Sequence, residues 1–508
     1  MNTLNGPGDI LPLAASRYGE KPALVTATRT LTFAELDDLS SRAATGLRRR
    51  GITPGQPVSL YGPNSWQWIV AYHAILRAGA VVNPVNVMLT PPEVAFVLND
   101  CQAAAVLTTA DRLPELRELA SELPHLRCSL ALDGTGDDAF SQLFAEEPLE
   151  PSTPVDPAAL STIGYTSGTT GHPKGAMQSH RAVLLNCALT ATMHGRTSSD
   201  VIVSALPAPH VYGNVVVNGT LLAGGTVVLM ERFAADQALA LIAEHKATMF
   251  EGVPAMYSMM LADPALADAE LSSLTRCTVG GQTIAESTIE AWETRSGAQL
   301  IELWGMTEIS GLGTTHAIHA PSVHGSIGVS LPGVEVRIAD LDDVTRDAPV
   351  GEPGELMIRG PLVMMGYFGR PAETKEAIEP DGWLHTGDIA HVDNTGHFFV
   401  VDRRKDLIIT AGYNVYPAEI ERVISEHPSV AMVGVGAVPD DVKGELACAY
   451  IVRRPGAQVT EEEIADFTHD RLAAYKRPRQ VVFVSSLPTT SSGKIMRRKL
   501  AEAPHEQA

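Results

Sequence analysis

Cysteine is scarce in this chain. Cys101, Cys128, Cys187, Cys277 and Cys448 are widely spaced, odd in number and never arranged as CxxC. That excludes a disulfide scaffold or a zinc knuckle and indicates reduced thiols. Positive charge is also in short supply: 38 Lys and Arg stand against 59 Asp and Glu, a net charge of −21. A surface of that sign repels a phosphate backbone, so nucleic acid is not an expected partner. Long apolar runs are missing too. The stretch 201–230 has no formal charge apart from His210, but Pro207, Pro209, Gly213, Asn214, Asn218, Gly224 and Gly225 interrupt it. A spanning helix needs ~20 mostly apolar residues, so the stretch reads as a buried strand–helix–strand and no transmembrane segment is expected. The first residues have neither a basic segment nor a long apolar run, and the final APHEQA is not a peroxisomal signal. A cytoplasmic location is the expectation.

What is present is ordinary for a soluble globular protein: 45% hydrophobic and 19% charged residues. A chain of 508 residues exceeds one core. Its first part alternates short apolar strands, such as 57–62 and 103–109, with helical patterns, such as 33–51 and 66–79, that run up to glycine. The alternation continues through 226–230, 238–248 and 277–281. This predicts an α/β fold with largely parallel sheets. From about 325 to 402 the texture changes to short strands with Gly and Pro turns, a small β-rich subdomain. The polar run DRRKD, 402–406, then precedes a compact α/β unit. The expected division is residues 1–402 and 403–508.

The acidic balance poses a question, because any phosphate-bearing substrate needs locally placed cations and backbone N–H groups. The string TIGYTSGTTGHPKGAM, residues 162–177, supplies both. Its glycines let backbone N–H groups approach an anion, its hydroxyls add donors and Lys174 adds charge. It is not the common triphosphatase loop, because Lys174 follows Pro173 and precedes Gly175. In IELWGMTE, 301–308, Trp304 offers a face to a purine, Thr307 a hydroxyl to phosphate and Glu308 a carboxylate to Mg²⁺. Taken alone, a buried tryptophan beside a turn is the better reading, and the motif gains force from occurring with the first. In DGWLHTGD, 381–388, Asp388 is placed to grip ribose hydroxyls or simply to cap a turn. Arg403 in the following charged run reads as a ribose or phosphate contact, or as a solvated charge. Lys494 follows a Ser-Ser-Gly turn that can carry it into a distant site. Two other patterns are set aside. GTGDDA, 134–139, would set Asp137 and Asp138 against a pyrophosphate, and HAIH with His324 lacks further metal-ligand support.

Together, in order and over nearly the whole chain, these motifs resemble the adenylate-forming superfamily of acyl- and aryl-CoA synthetases, adenylation domains and luciferases. The resemblance implies ATP and CoA as co-substrates, Mg²⁺ as cofactor and a small-molecule carboxylic acid. It implies that Thr166, Ser167, Gly168, Thr169, Thr170, Gly171 and Lys174 cradle phosphates. It places Gly281, Gln282, Trp304 and Thr307 around the nucleotide, Glu308 on Mg²⁺, and Asp388 and Arg403 on ribose. Lys494 would bridge the carboxylate and the α-phosphate, cancelling the repulsion between two anions. Lys405 occupies the hinge position about which a small C-terminal domain swings, bringing Gly412 and Tyr413 to line a pantetheine tunnel. His210 matches the position beside the acyl carbonyl.

The acyl pocket implied by the resemblance contains His210, Val211, Tyr212, Val215, Gly280, Leu303 and Gly305. Gly305 stands where acetate-specific relatives carry a bulky aromatic, so acetate is disfavoured. Leu303 stands where malonate-type enzymes carry arginine, so a short dicarboxylate is disfavoured. Gly280-Gly281-Gln282 departs from the usual Gly-Ala-Ala style, which leaves the pocket shape open, and Trp304 replaces a tyrosine. A medium- or long-chain fatty acid is the expectation, with an aryl or cyclic acid as the alternative. A free carrier protein in place of CoA, or a catalytically silent nucleotide-binding protein, are the rival functions. The oligomeric state is open, with a homodimer one option.

Overall fold

The computed structural model describes residues 4–149, 155–166, 173–403, 406–410, 413–440, 444–469, 471–489 and 495–504. Among these the strands form four sheets, and the fold is α/β as expected. The largest sheet is parallel from Pro22–Val25 through Thr226–Leu229, Val201–Ser204, Met249–Gly252 and Arg276–Gly280 to Gln299–Met306. Gly311–Thr315 then turns back antiparallel on Gln299–Met306. The second sheet is parallel across Cys128–Ala131, Ala105–Thr108, Pro57–Tyr61, Val81–Pro84 and Leu160–Thr166. Lys174–Ser179 pairs antiparallel with Leu160–Thr166 and sets Thr166 opposite Lys174. Near-continuous burial of these strands matches their runs of Val, Ile, Leu and Ala, as both faces carry helices.

Local signals explain the helices. Thr32 Oγ1 accepts the Glu35 N–H at 3.1 Å and Glu35 Oε2 accepts the Thr32 N–H at 2.8 Å, a reciprocal cap that starts Phe33–Arg49. The uncharged stretch 201–230 folds as strand Val201–Ser204, helix Val211–Ala223 and strand Thr226–Leu229. Gly224 ends that helix at φ 81°, and a Cβ there would lie 2.2 Å from the Tyr18 ring. No helix among the described residues is long and apolar enough to cross a membrane.

The Gly- and Pro-punctuated stretch forms an antiparallel sheet of Glu335–Ala339, Gly354–Arg359, Leu384–Val392 and Phe398–Arg403. Beyond it, Ile408–Thr410, Tyr413–Val415, Val430–Asp440, Gly444–Arg453 and Gln480–Phe483 form the fourth sheet. Helix Pro417–Ser425 covers it through Ile420, Val423 and Ile424. Arg497 ties this region to the preceding sheet, reaching Asp402 at 3.1 Å, Asp406 at 3.2 Å and Glu421 at 2.7 Å.

Candidate active site

A cavity of about 1220 Å³ opens where the ends of several of these strands meet. Thr166 and Lys174 line it from the strand pair that brackets the glycine-rich string. Thr307 and Glu308 line it from the short turn Thr307–Ile309, directly after strand Gln299–Met306. The turn is fastened by Gln178 Nε2, which donates to the Thr307 carbonyl at 2.8 Å. It also packs on Gly164, where a Cβ would lie 2.6 Å from Thr307 Cγ2. Arg403 joins from the last strand of the antiparallel sheet.

The carboxylate of Glu308 is buried, and burial raises its pKa above the usual carboxylate range. Tyr367 O–H donates to Glu308 Oε1 at 3.0 Å, and Lys174 Nζ lies 5.4 Å from the centre of the Tyr367 ring. A lone buried carboxylate with one hydroxyl donor is the kind of group a hard cation completes. Mg²⁺ takes one or two protein carboxylates and fills its remaining positions with water and phosphate oxygens. Asp388 is held by two donors: Trp304 Nε1 at 2.7 Å on Oδ2 and Arg403 Nε at 2.9 Å on Oδ1. Asp388 itself is buried and is not in the wall of the cavity, which its neighbours His385, Thr386 and Gly387 line.

His210 caps the helix Val211–Ala223, its Nδ1 accepting the Tyr212 N–H at 3.3 Å, and lines the cavity with Val211 and Gly305. Other residues expected here lie elsewhere. Tyr212 and Val215 are buried in the core and do not line the cavity. A helix advances 3.6 residues per turn, so when Val211 and Asn214 face the cavity, Tyr212 and Val215 turn toward the sheet. There Tyr212 Oη meets Thr278 Oγ1 at 2.6 Å, Thr278 donates to Glu251 at 2.9 Å, and Glu251 pairs with Arg196 at 2.8 Å. Gly280 and Leu303 pack on each other, since a Cβ at 280 would lie 2.2 Å from Leu303 Cδ1, and neither lines the cavity. Gly281 and Gln282 are not in the wall either. Trp304 turns its indole into the core and offers the cavity no ring face; its N–H is committed to Asp388. Gly305 answers a second demand besides leaving room: a Cβ there would meet the Gly311 carbonyl at 2.1 Å.

Ser167, Gly168, Thr169, Thr170, Gly171, Lys405, Gly412 and Lys494 lie outside the described residues. Tyr413 opens the strand Tyr413–Val415. Thr489 and Met496, which flank Lys494 in the sequence, both line the cavity, as does Lys499. Residues that sequence reasoning missed include Tyr72, Asn214 and Tyr367. Asn214 lies one helical turn after His210, a spacing visible in advance. Tyr72 sits within an apolar helix, and nothing in its sequence context distinguishes it.

Two family profiles match the chain: AMP-binding enzyme over residues 11–368, and AMP-binding enzyme C-terminal domain over residues 419–494. A long-chain-fatty-acid–CoA ligase of Bacillus subtilis (strain 168) is 32% identical, covering 98% of this chain and 94% of that protein. A feruloyl-CoA synthase of an Amycolatopsis species is 37% identical, covering 92% of each. Among solved structures, an anthranilate CoA ligase in complex with anthranoyl-AMP superposes with a TM-score of 0.92 at 27% identity, covering 98% of this chain and 96% of that one.

Proposed function

The chain belongs to the AMP-binding enzyme family, and from that premise we propose that it is an AMP-forming acid–CoA ligase. The observation that carries this is the convergence on one cavity of Thr166, Lys174, Glu308 and Arg403 with Thr489 and Met496, the residues that flank Lys494. A carboxylate oxygen attacks the α-phosphorus of ATP, the bond to the β-phosphate oxygen breaks, and pyrophosphate leaves. The CoA thiolate then attacks the acyl carbon, the carbon–oxygen bond to phosphate breaks, and AMP leaves.

In this proposal Lys174 and the string 166–171 hold the phosphates, so fixed cations offset an otherwise acidic protein. Glu308 would hold Mg²⁺, which supplies charge neutralisation at the phosphates. Asp388, fixed by Trp304 and Arg403, accepts from ribose hydroxyls. His210 stands beside the acyl carbonyl. Lys494 brings its charge to the meeting of carboxylate and α-phosphate. Residues 403–508 form a mobile unit that swings at Lys405 between the two steps, withdrawing Lys494 and presenting Gly412 and Tyr413 to pantetheine.

The acid is larger than acetate. A fatty acid and an aryl or cyclic acid both suit the size of the cavity, and the relatives are named for both kinds. The polar group at Asn214 favours an acid with a functional tail. The test is a screen of fatty, aryl and cyclic acids for pyrophosphate exchange and for CoA-dependent AMP release. Exchange without any thioester would replace CoA by a carrier protein. Lys494→Ala should abolish exchange while ATP binding persists; retained exchange would remove Lys494 from the first step.

A further inference from the structure

Among the residues that line the cavity with His210 and Val211 are two hydrogen-bonded polar side chains, Tyr72 and Asn214. Their hydrogen bonds determine which way the Asn214 amide faces. Asn218 approaches both the backbone oxygen of Asn214, at 3.1 Å, and its side-chain oxygen, at 3.2 Å. A backbone carbonyl only accepts, so the Asn218 atom facing it is Nδ2. The Asn214 atom nearest that nitrogen is therefore its oxygen, Oδ1, which also accepts the Tyr72 O–H at 3.3 Å. With Oδ1 occupied by two donors, Nδ2 of Asn214 is left with its hydrogens unused among the described residues.

The amide is held in place. Tyr72 is buried and stacks on Trp68 with ring centres 5.7 Å apart. The helix bearing Asn214 presses so closely on the preceding loop that a Cβ at Gly213 would lie 2.3 Å from the Pro207 carbonyl oxygen. A fixed donor in a partly apolar pocket is how a site reads one polar atom of a ligand.

We infer that the acid this enzyme activates carries a neutral oxygen acceptor on its tail, a ketone, ring carbonyl, ether or hydroxyl, bound by Asn214 Nδ2. It rests on the adenylation reading above, in which the carboxyl group lies at His210. Asn214 N donates to the His210 carbonyl at 2.9 Å, so the two residues are one helical turn apart. A turn rises about 5.4 Å, which places the acceptor about four or five bonds from the carboxyl carbon. Neither Asn214 nor Tyr72 is charged, which selects a neutral acceptor over a second carboxylate. An unsubstituted chain would cover the amide without bonding it, and a site built to hydrogen-bond a substrate discriminates against the analogue lacking that atom.

The test compares matched acids: octanoic acid with and without a chain ketone about five bonds from the carboxyl carbon, and a ring acid with and without a ring ketone there. In the wild type, kcat/KM for CoA-ester formation should favour the oxygenated member of each pair by about tenfold or more. Asn214→Leu should bring that ratio to about one or reverse it. Asn214→Asp keeps the shape but turns the donor into an acceptor, and should lose the preference as well. Equal use of both members by the wild type, or a preference that survives both substitutions, overturns the inference and leaves the ligase reading standing. Failure of every acid to support pyrophosphate exchange overturns the ligase reading, and this inference with it.

Discussion

The indole of Trp304 and the carboxylate of Asp388 are remote in sequence and joined at 2.7 Å in the core. A buried carboxylate that loses a donor keeps its desolvation cost, about 1–3 kcal/mol. Trp304→Phe should therefore lower stability by roughly that amount in chemical denaturation. If Asp388 grips ribose, KM for ATP should rise several-fold while KM for the acid stays unchanged. Glu302 makes a different prediction. Burial pushes its pKa up to about 8, with Glu286 and Glu293 adding to the shift and the Gly325 N–H opposing it. The folded chain then keeps a proton that the unfolded chain releases above the ordinary value of 4.5. The associated stability is fully present below that ordinary value and is lost as pH rises toward about 8. Glu302→Gln does not titrate and retains an acceptor for Gly325. Its unfolding midpoint should therefore gain on the wild type as pH rises from about 5 to about 9.

At the scale of elements, the helix Val211–Ala223 and the loop before it act as one piece. Gly213→Ala would drive a methyl group into the Pro207 carbonyl, at 2.3 Å, and backbone yields poorly. Overpacking of this kind costs about 1–3 kcal/mol. A lower melting temperature together with a raised KM for the acid is the expected result, and an unchanged KM would show the helix start to be uncoupled from the pocket. This helix also shows what the sequence discloses and what it conceals. Its existence is legible from Pro and Gly punctuation inside an uncharged stretch, whereas the cap at His210 emerges only in the structure. The facing of the helix is not legible, because apolar residues surround it and no amphipathic stripe marks the cavity side. Hence Tyr212 and Val215 read as pocket residues and are core, while Asn214 read as a helix interruption and lines the cavity. The strand-end residues Thr166, Lys174, Thr307, Glu308 and Arg403 were legible because dense Gly/Thr strings and isolated charges mark turns. The inward commitment of Trp304 was not, since its partner lies eighty-four residues away.

Across the whole molecule, Arg497 fastens the C-terminal region to the body. It reaches Asp402 on the antiparallel sheet and Glu421 on helix Pro417–Ser425, and the surrounding carboxylates raise its pKa against the effect of burial. Removing Arg497 takes a donor from the buried Asp402 and from two partly exposed carboxylates, at a cost of about 1–3 kcal/mol. Arg497→Leu should lower stability by that order and speed protease cleavage after the 402–406 run, with cleavage sites mapped by mass spectrometry.

The cavity divides its labour between unrelated parts of the chain. In the proposed reaction the strand ends and the turn at Glu308 face the nucleotide, while Asn214 rides on a helix whose cavity-facing residues include none of the proposed phosphate contacts. A duplicated gene can therefore drift along Val211–Ala223 and acquire a new acid without relearning how to split ATP. For descendants of such a gene, resemblance in the strand-end motifs would record shared chemistry, and the residue one turn after the capping histidine would record the acid, as the inference about Asn214 proposes.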